Sequence, residues 1–249
     1  MPRTLHGFWL GRRPYARVHE LQQALQQARQ RGAVPDTVLL LEHEPVITLG
    51  RGAHPSHVLL SSAELTARGV AVEAVGRGGD VTLHAPGQLV GYPLIDLSPD
   101  RQDVRRFVGD LAAVMAQVAA RFGVASGPVP ELIGLWVDAD APSAWSGHEA
   151  AARLAKLGAI GVRVSRWVTM HGFALNLTND LSAFSWIVPC GITQHGVTSL
   201  EALTGRALPA AEVAPLAFEA LASRLEAARG PFVDCSALPL EELDAALGL

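Results

Sequence analysis

The chain has 249 residues, which suits one large domain or a domain with a small appendage. With 49% hydrophobic and 18% charged residues it can build a core and is no disordered chain, and a formal net charge of −4 gives no support to a large non-specific nucleic-acid or anionic-membrane footprint, local basic patches aside. Two cysteines are too few for a disulfide framework, the start MPRTLHGFWLGRRPY lacks a signal-peptide core, and no run approaches the ~20 apolar residues that cross a bilayer, so a cytoplasmic protein is expected.

Leu5 to Leu10 predicts a first strand. From Tyr15, Val18, Leu21, Leu25 and Ala28 recur at helical spacing until Gly32. Thr37 to Leu41 reads as a buried strand, and Val46 to Leu49 as another after the turn at Glu44-Pro45. A loop follows over Gly50 to Pro55, then a short helix that Ser62 can cap, ending near Gly69, then strand-like Val70 to Val75. The segment GRGGDVTLHAPGQLVGYPLIDL divides into a loop, a short strand, a turn and the strand Leu89 to Leu97.

Asp103 caps the clearest helix, with Val104, Phe107, Val108, Leu111, Met115, Val118, Ala119 and Phe122 on one stripe and Gly123 at its end. Leu135 to Val137 is a short strand, and the alanine-rich Asp138 to Ala155 reads as a mobile loop. Ala159 to Val164 and Phe173 to Leu177 are strands joined by a turn region around Ser165 to His171. Asn179 or Asp180 can cap one helical turn, and Pro209 opens a last helix with Val213, Leu216, Ala217, Ala220, Leu221 and Leu225 inward. Many strands with few helices, out of strict βαβ alternation, predict an α+β fold with a mixed sheet flanked by helices. We expect a main domain over 1–200 and a small helical extension over 201–249 packed on it.

Three groups of residues carry chemistry. Cys190 follows the apolar Ile187-Val188 and sits between Pro189 and Gly191, at a turn that ends a strand. Two readings stay open for it, a buried packing residue or a nucleophile; Cys235 lacks these features and is taken as structural. Lys156 is the one lysine of the chain, whereas every other basic residue is arginine or histidine. An amine that can lose its proton is what arginine cannot supply, which favours a specific role over surface charge. The glycine-rich Arg77 to Gln88 lets a ligand approach the backbone, but it has neither the Walker-A nor the GxGxxG pattern and could be only a tight turn. His43, His54 and His57 are read as ordinary loop histidines, so no metal is expected.

Three blocks, RGGDVTLHAPGQLVGYP, KLGAIGVRVSRWVTMHGFALN and IVPCGI, resemble in this order the octanoyltransferases of lipoate biosynthesis. The resemblance runs from about Leu41 to Leu200. It implies the fold shared with biotin and lipoate protein ligases. It implies transfer of an octanoyl group from octanoyl-acyl carrier protein to a lysine of lipoyl domains, in the E2 subunits of 2-oxoacid dehydrogenases and in the H protein of glycine cleavage. No cofactor is implied.

Carried over by motif, Cys190 would be the acyl-thioester nucleophile and Lys156 the group that lowers its pKa. Once the thiolate is consumed Lys156 loses its stabilising anion, and on that ground it is expected to serve as base for aminolysis. His84 and His171 are alternative bases, and Gly78, Gly79 and Gly172 are candidate oxyanion donors. The acyl pocket would be lined by Arg77, Gly78, Gly79, Asp80, Val81, Thr82, Leu83, His84, Ala159, Ile160, Gly161, His171, Gly172, Phe173 and Ala174. Leu83 and Ala85 depart from the aromatic and glycine usual around the motif histidine, and the loop Asp138 to Ala155 is longer than the family needs. The rival functions are an amidotransferase between lipoyl domains, an ATP-dependent lipoate or biotin ligase, and a non-catalytic acyl- or lipoyl-domain-binding module.

Overall fold

The structure is a computed structural model, which describes residues 3–189 and 194–249. Its centre is β2 (Asp36–His43), whose run of apolar residues is buried on both faces. Val38 and Leu40 point into one core and Leu39 and Leu41 into another, the period-2 alternation of a strand sandwiched between two layers. Next to it β1 (Thr4–Arg13) runs parallel, and the two are joined by the crossover helix α1 (Tyr15–Gln30). α1 covers the face carrying Leu39 and Leu41, with Val18, Leu21 and Leu25 fully buried.

A small second sheet branches off after β2. It has β3 (Val46–Leu49) between β4 (Ala71–Ala74) and β5 (Val81–His84), in parallel and antiparallel pairings respectively. The intervening helix α2 (Ser62–Ala67) is capped one residue earlier than expected. Ser61 accepts from the Glu64 N–H while the Glu64 carboxylate takes the Ser61 N–H, a complete capping box. Leu65, Ile47, Val81, Leu83, Phe184 and Ile187 form a third core beneath this sheet.

The chain returns to the main sheet with β6 (Gln88–Leu94), antiparallel to β2. Then α3 (Val104–Ala120), capped by Asp103, lays Phe107, Leu111, Val114 and Met115 on the opposite face of the sheet. Each such side chain contributes about 1.5–3 kcal/mol by leaving water. β7 (Gly127–Val129) and β8 (Leu132–Asp138) follow, and β9 (Leu154–Ser165) and β10 (Val168–Asn176) form the long central hairpin.

Here the structure corrects the expected turn at Ser165 to His171. Arg166 and Trp167 alone make the loop, both at positive φ, and Lys156 lies inside β9. Two central residues at positive φ give the turn whose twist matches the flanking strands. β11 (Gly196–Val197) adds to β9, α4 (Leu200–Thr204) follows, and α5 (Ala210–Arg224) packs against α3.

Among the described residues the main sheet runs β12-β1-β2-β6-β10-β9-β8-β7. Its β12 (Ala228–Asp234) comes from the segment expected as a helical extension. That segment supplies α5, the short α6 (Leu243–Ala246) and an edge strand parallel to β1. Arg101 and Arg224 both reach the fully buried Asp110 on α3, at 2.6 and 2.7 Å, and so tie α5 to the helical layer.

Candidate active site

The β9–β10 hairpin brings two of the sequence blocks face to face. Ala159, Ile160 and Gly161 are the cross-strand partners of Ala174, Phe173 and Gly172. The third block arrives from the small sheet, where the Gly78 N–H donates to the Val162 carbonyl at 2.9 Å. A Cβ on Gly161 would stand 3.0 Å from Arg77 Cδ and 3.1 Å from the Gly78 carbonyl, so this closeness needs a glycine. The engaged Gly78 N–H leaves Gly79 and Gly172 as the expected oxyanion donors to consider.

Between these elements lies a pocket whose empty space, counting its open mouth, is about 460 Å³. Of the expected lining residues, Arg77, Gly79, Thr82, His84, Ala159, Ile160, Gly161, His171, Gly172, Phe173 and Ala174 face it. Val81 and Leu83 do not; strand alternation turns them into the third core. Asp80 turns toward the 50–58 loop and binds His57. Arg77 is buried and donates to the Thr48 carbonyl and hydroxyl at 2.6 and 2.8 Å, fastening the glycine-rich loop to β3. Two lining residues escaped the sequence reading, Tyr15 and Tyr92, and they are the chain's two tyrosines.

A hydrogen-bond chain of fixed direction ends on His84, which lines this pocket. Asn176 Nδ2 donates to the Thr198 carbonyl at 2.9 Å, Gln88 Nε2 donates to Asn176 Oδ1 at 2.9 Å, and Gln88 Oε1 then accepts from His84 Nδ1 at 2.7 Å. His84 therefore carries its proton on Nδ1 and keeps the Nε2 lone pair. Burial first, then neighbouring His43, Arg77 and His171, push its pKa down to about 3. His43 donates from Nδ1 to the Arg13 carbonyl and accepts at Nε2 from Tyr92, and burial lowers its pKa to about 4.

His171 sits in β10 at φ 59, a left-handed conformation unusual for a side chain in a strand. Its N–H donates to Gln22 Oε1 at 2.9 Å. Its Nε2 is buried without a hydrogen-bond partner, and burial, with His19 next, lowers its pKa to about 3. His43, His54 and His57 do not converge, and among the described residues no three metal-binding side chains do.

Lys156 lies in β9, 5% exposed, with Nζ 5.5 Å from the centroid of the buried Trp136 ring. Its carbonyl accepts from the Thr198 N–H at 2.9 Å. The side chain crosses Gly134 on β8, which has φ 143 and leaves no room for a Cβ. Neither Gly134 nor Trp136 carried a signal in the sequence. A smaller pocket of about 290 Å³ surrounds the amine, lined by Lys156, Gln88, Asn176, Gly158, Phe184, Pro189 and Val197 together with Thr82 and Ala159. Thr82 and Ala159 line both pockets, so the two spaces share a wall there. Cys190 lies outside the described residues.

Residues 14–222 match the family model of the lipoyl protein ligase A/B catalytic domain. An octanoyltransferase of Geobacter metallireducens is 41% identical over 94% of this chain and 95% of its own length. The chain belongs to the octanoyltransferase family. A second octanoyltransferase, from Myxococcus xanthus, is 46% identical over 84% of this chain, a match that spans only 56% of that longer protein.

Among solved structures, the bipartite lipoate protein ligase of Thermoplasma acidophilum superposes at a TM-score of 0.68, covering 99% of this chain and 92% of its own at 13% identity. A biotin protein ligase from Aquifex aeolicus superposes at 0.52, with 89% and 70% covered at 12% identity. At these identities the likeness is one of fold: an octanoyltransferase, and so an acyltransferase, built on the ligase scaffold. Among the described residues no helix is long and apolar enough to cross a membrane.

Proposed function

We propose that the protein transfers an octanoyl group from octanoyl-acyl carrier protein to a lysine of a lipoyl domain through a thioester on Cys190. The observation that carries this reading is that two pockets of different character adjoin, with Thr82 and Ala159 in the walls of both. One pocket has an apolar floor of Ala159, Ile160, Phe173 and Ala174 for a fatty chain. The other holds the buried Lys156 amine and is lined by Pro189, the residue bonded to Cys190.

A free thiol with a pKa near ~8.5 is mostly protonated at neutral pH, and the Lys156 cation favours its thiolate. The thiolate attacks the thioester carbonyl, the new C–S bond forms, the old one breaks, and the carrier leaves as its thiol with a proton from the Lys156 ammonium, which is left neutral. This exchange is close to balanced, so positioning and an oxyanion donor decide its rate. In the second step the acceptor amine attacks, the C–S bond breaks, and Lys156 takes the proton that the nitrogen sheds within the pocket. The acceptors are the lipoyl domains of E2 subunits and the H protein, and no cofactor takes part.

Intact-mass analysis after incubation with octanoyl-acyl carrier protein tests the reading. One octanoyl group, sensitive to hydroxylamine, is expected on Cys190 and none on Cys190→Ser; an adduct that survives in the variant refutes it. Lys156→Arg keeps the charge without the base, so loading should survive better than transfer. ATP-dependent modification from free octanoate would instead assign the chain to the ligases.

A further inference from the structure

The 50–58 loop ends in a histidine that the transfer chemistry described above does not use. Residues 57–59 pair with 186–188: the Val188 N–H donates to the His57 carbonyl and the Leu59 N–H to the Trp186 carbonyl, both at 2.8 Å. His57 is thereby fastened to the segment that runs into Pro189 and the lysine pocket. Its Nδ1 donates to Asp80 Oδ2 at 2.5 Å, and Asp80 Oδ1 accepts from the His54 N–H at 3.2 Å. A carboxylate accepts only, so Nδ1 carries a proton and Nε2 is the ring nitrogen left to exchange one. Nε2 makes no hydrogen bond among the described residues. The His57 side chain is 30% exposed, in reach of solvent, whereas Lys156 is 5% exposed. Asp80 also stands two residues before Thr82, which lines both pockets.

The aminolysis step leaves one proton without a taker. A lysine amine is mostly protonated at neutral pH, with a pKa near ~10.4, and must shed two protons to become an amide nitrogen. One leaves before attack, to free the lone pair, and the other leaves the zwitterionic adduct. Lys156 can take the second inside the pocket. The first leaves at the mouth, where the acceptor arrives and where a base must exchange with water.

We propose that His57, oriented by Asp80, is the base that takes this first proton on Nε2 and releases it to solvent, while C–N bond formation and C–S cleavage follow in the pocket. Asp80 is the positioning residue. The proposal rests on the Cys190 thioester of the preceding reading.

The test separates the two half-reactions on the full-length protein loaded with octanoyl-acyl carrier protein. His57→Gln should load octanoate at the parental rate and discharge it to a lipoyl domain about 10²-fold more slowly, the low end of a general base's contribution. Hydroxylamine is unprotonated at neutral pH and needs no such base, so it should discharge the loaded variant and the loaded parent equally fast. Asp80→Asn should show the same pattern with a smaller loss. Parental discharge to the lipoyl domain by loaded His57→Gln overturns the proposal. So does an equal loss toward both amines, or a loss of loading, which would mark the His57–Asp80 pair as structural. If the parent itself carries no adduct on Cys190, the reading beneath the proposal fails, and that result is distinct from the others.

Discussion

Gly134→Ala is the substitution that most directly tests how the fold holds Lys156. The added Cβ would stand 2.5 Å from the Gly158 carbonyl and 2.7 Å from Lys156 Cε. The carbonyl belongs to β9 and cannot move without its ladder, so the lysine side chain must yield. At φ 143 the backbone is also in a region that L side chains rarely adopt. Backbone strain of about 1–3 kcal/mol and overpacking of about 1–3 kcal/mol together give a loss of roughly 2–6 kcal/mol. For a chain of this size each kcal/mol lowers Tm by ~2–4 °C, so a fall of at least about 4 °C is expected. A shift of the amine by ~1 Å should slow loading about 10²-fold. Differential scanning calorimetry and octanoyl loading followed by mass are the assays. Gly109→Ala is the control, an exposed glycine of α3 with nothing within 4 Å of its Cβ, and it should be neutral or slightly stabilising. If Gly134→Ala melts with the parent and loads octanoate at the parental rate, the account of how Lys156 is seated is wrong.

Acidification should destabilise the protein in a defined window. His43, His84 and His171 have folded pKa values pushed down to about 4, 3 and 3 from the ordinary imidazole value of 6.5, chiefly by burial. Below 6.5 the unfolded chain binds protons that the folded chain refuses until about 4 or 3, so stability is full above that value and falls as pH drops through the window. Each histidine contributes up to ~1.4 kcal/mol per pH unit. Urea unfolding at pH 7 and pH 5.5 checks the slope, and a slope unchanged in His84→Gln would count against its neutral, buried state. Cys235 is 1% exposed with its thiol pKa raised by burial, so native iodoacetamide should leave it unmodified and Cys235→Ala should keep full transfer activity; its labelling before unfolding would contradict the core packing.

What the sequence made legible divides along physical lines. The run Thr37 to Leu41 announced β2 because burial on both faces leaves no polar position, and the stripe from Phe107 to Met115 announced α3 because its 3.6-residue period is intact. The start of β9 was hidden by Lys156 itself. A charge in an apolar run marks a boundary when it is solvated, whereas this one is buried against Trp136. The hairpin turn was hidden because Arg166 and Trp167 adopt positive φ without the asparagine or glycine that usually signals it. β7 and β12 were hidden because each carries a proline, which an edge strand tolerates and a central strand does not.

The pocket follows the same division. Motif residues on alternating strand positions could be sorted into facing and buried only once β5 was known to start at Val81, and this is why Val81 and Leu83 were grouped with Thr82 and His84. A composition that avoids a residue type uses it where nothing else serves, and this holds for the two tyrosines as it does for the one lysine. Both face the pocket: Tyr92 donates to His43, and Tyr15 packs against the same imidazole at 5.1 Å. A phenol is the one side chain that joins an apolar face to a hydroxyl at a fixed reach, which suits a pocket with an apolar floor and polar wall residues.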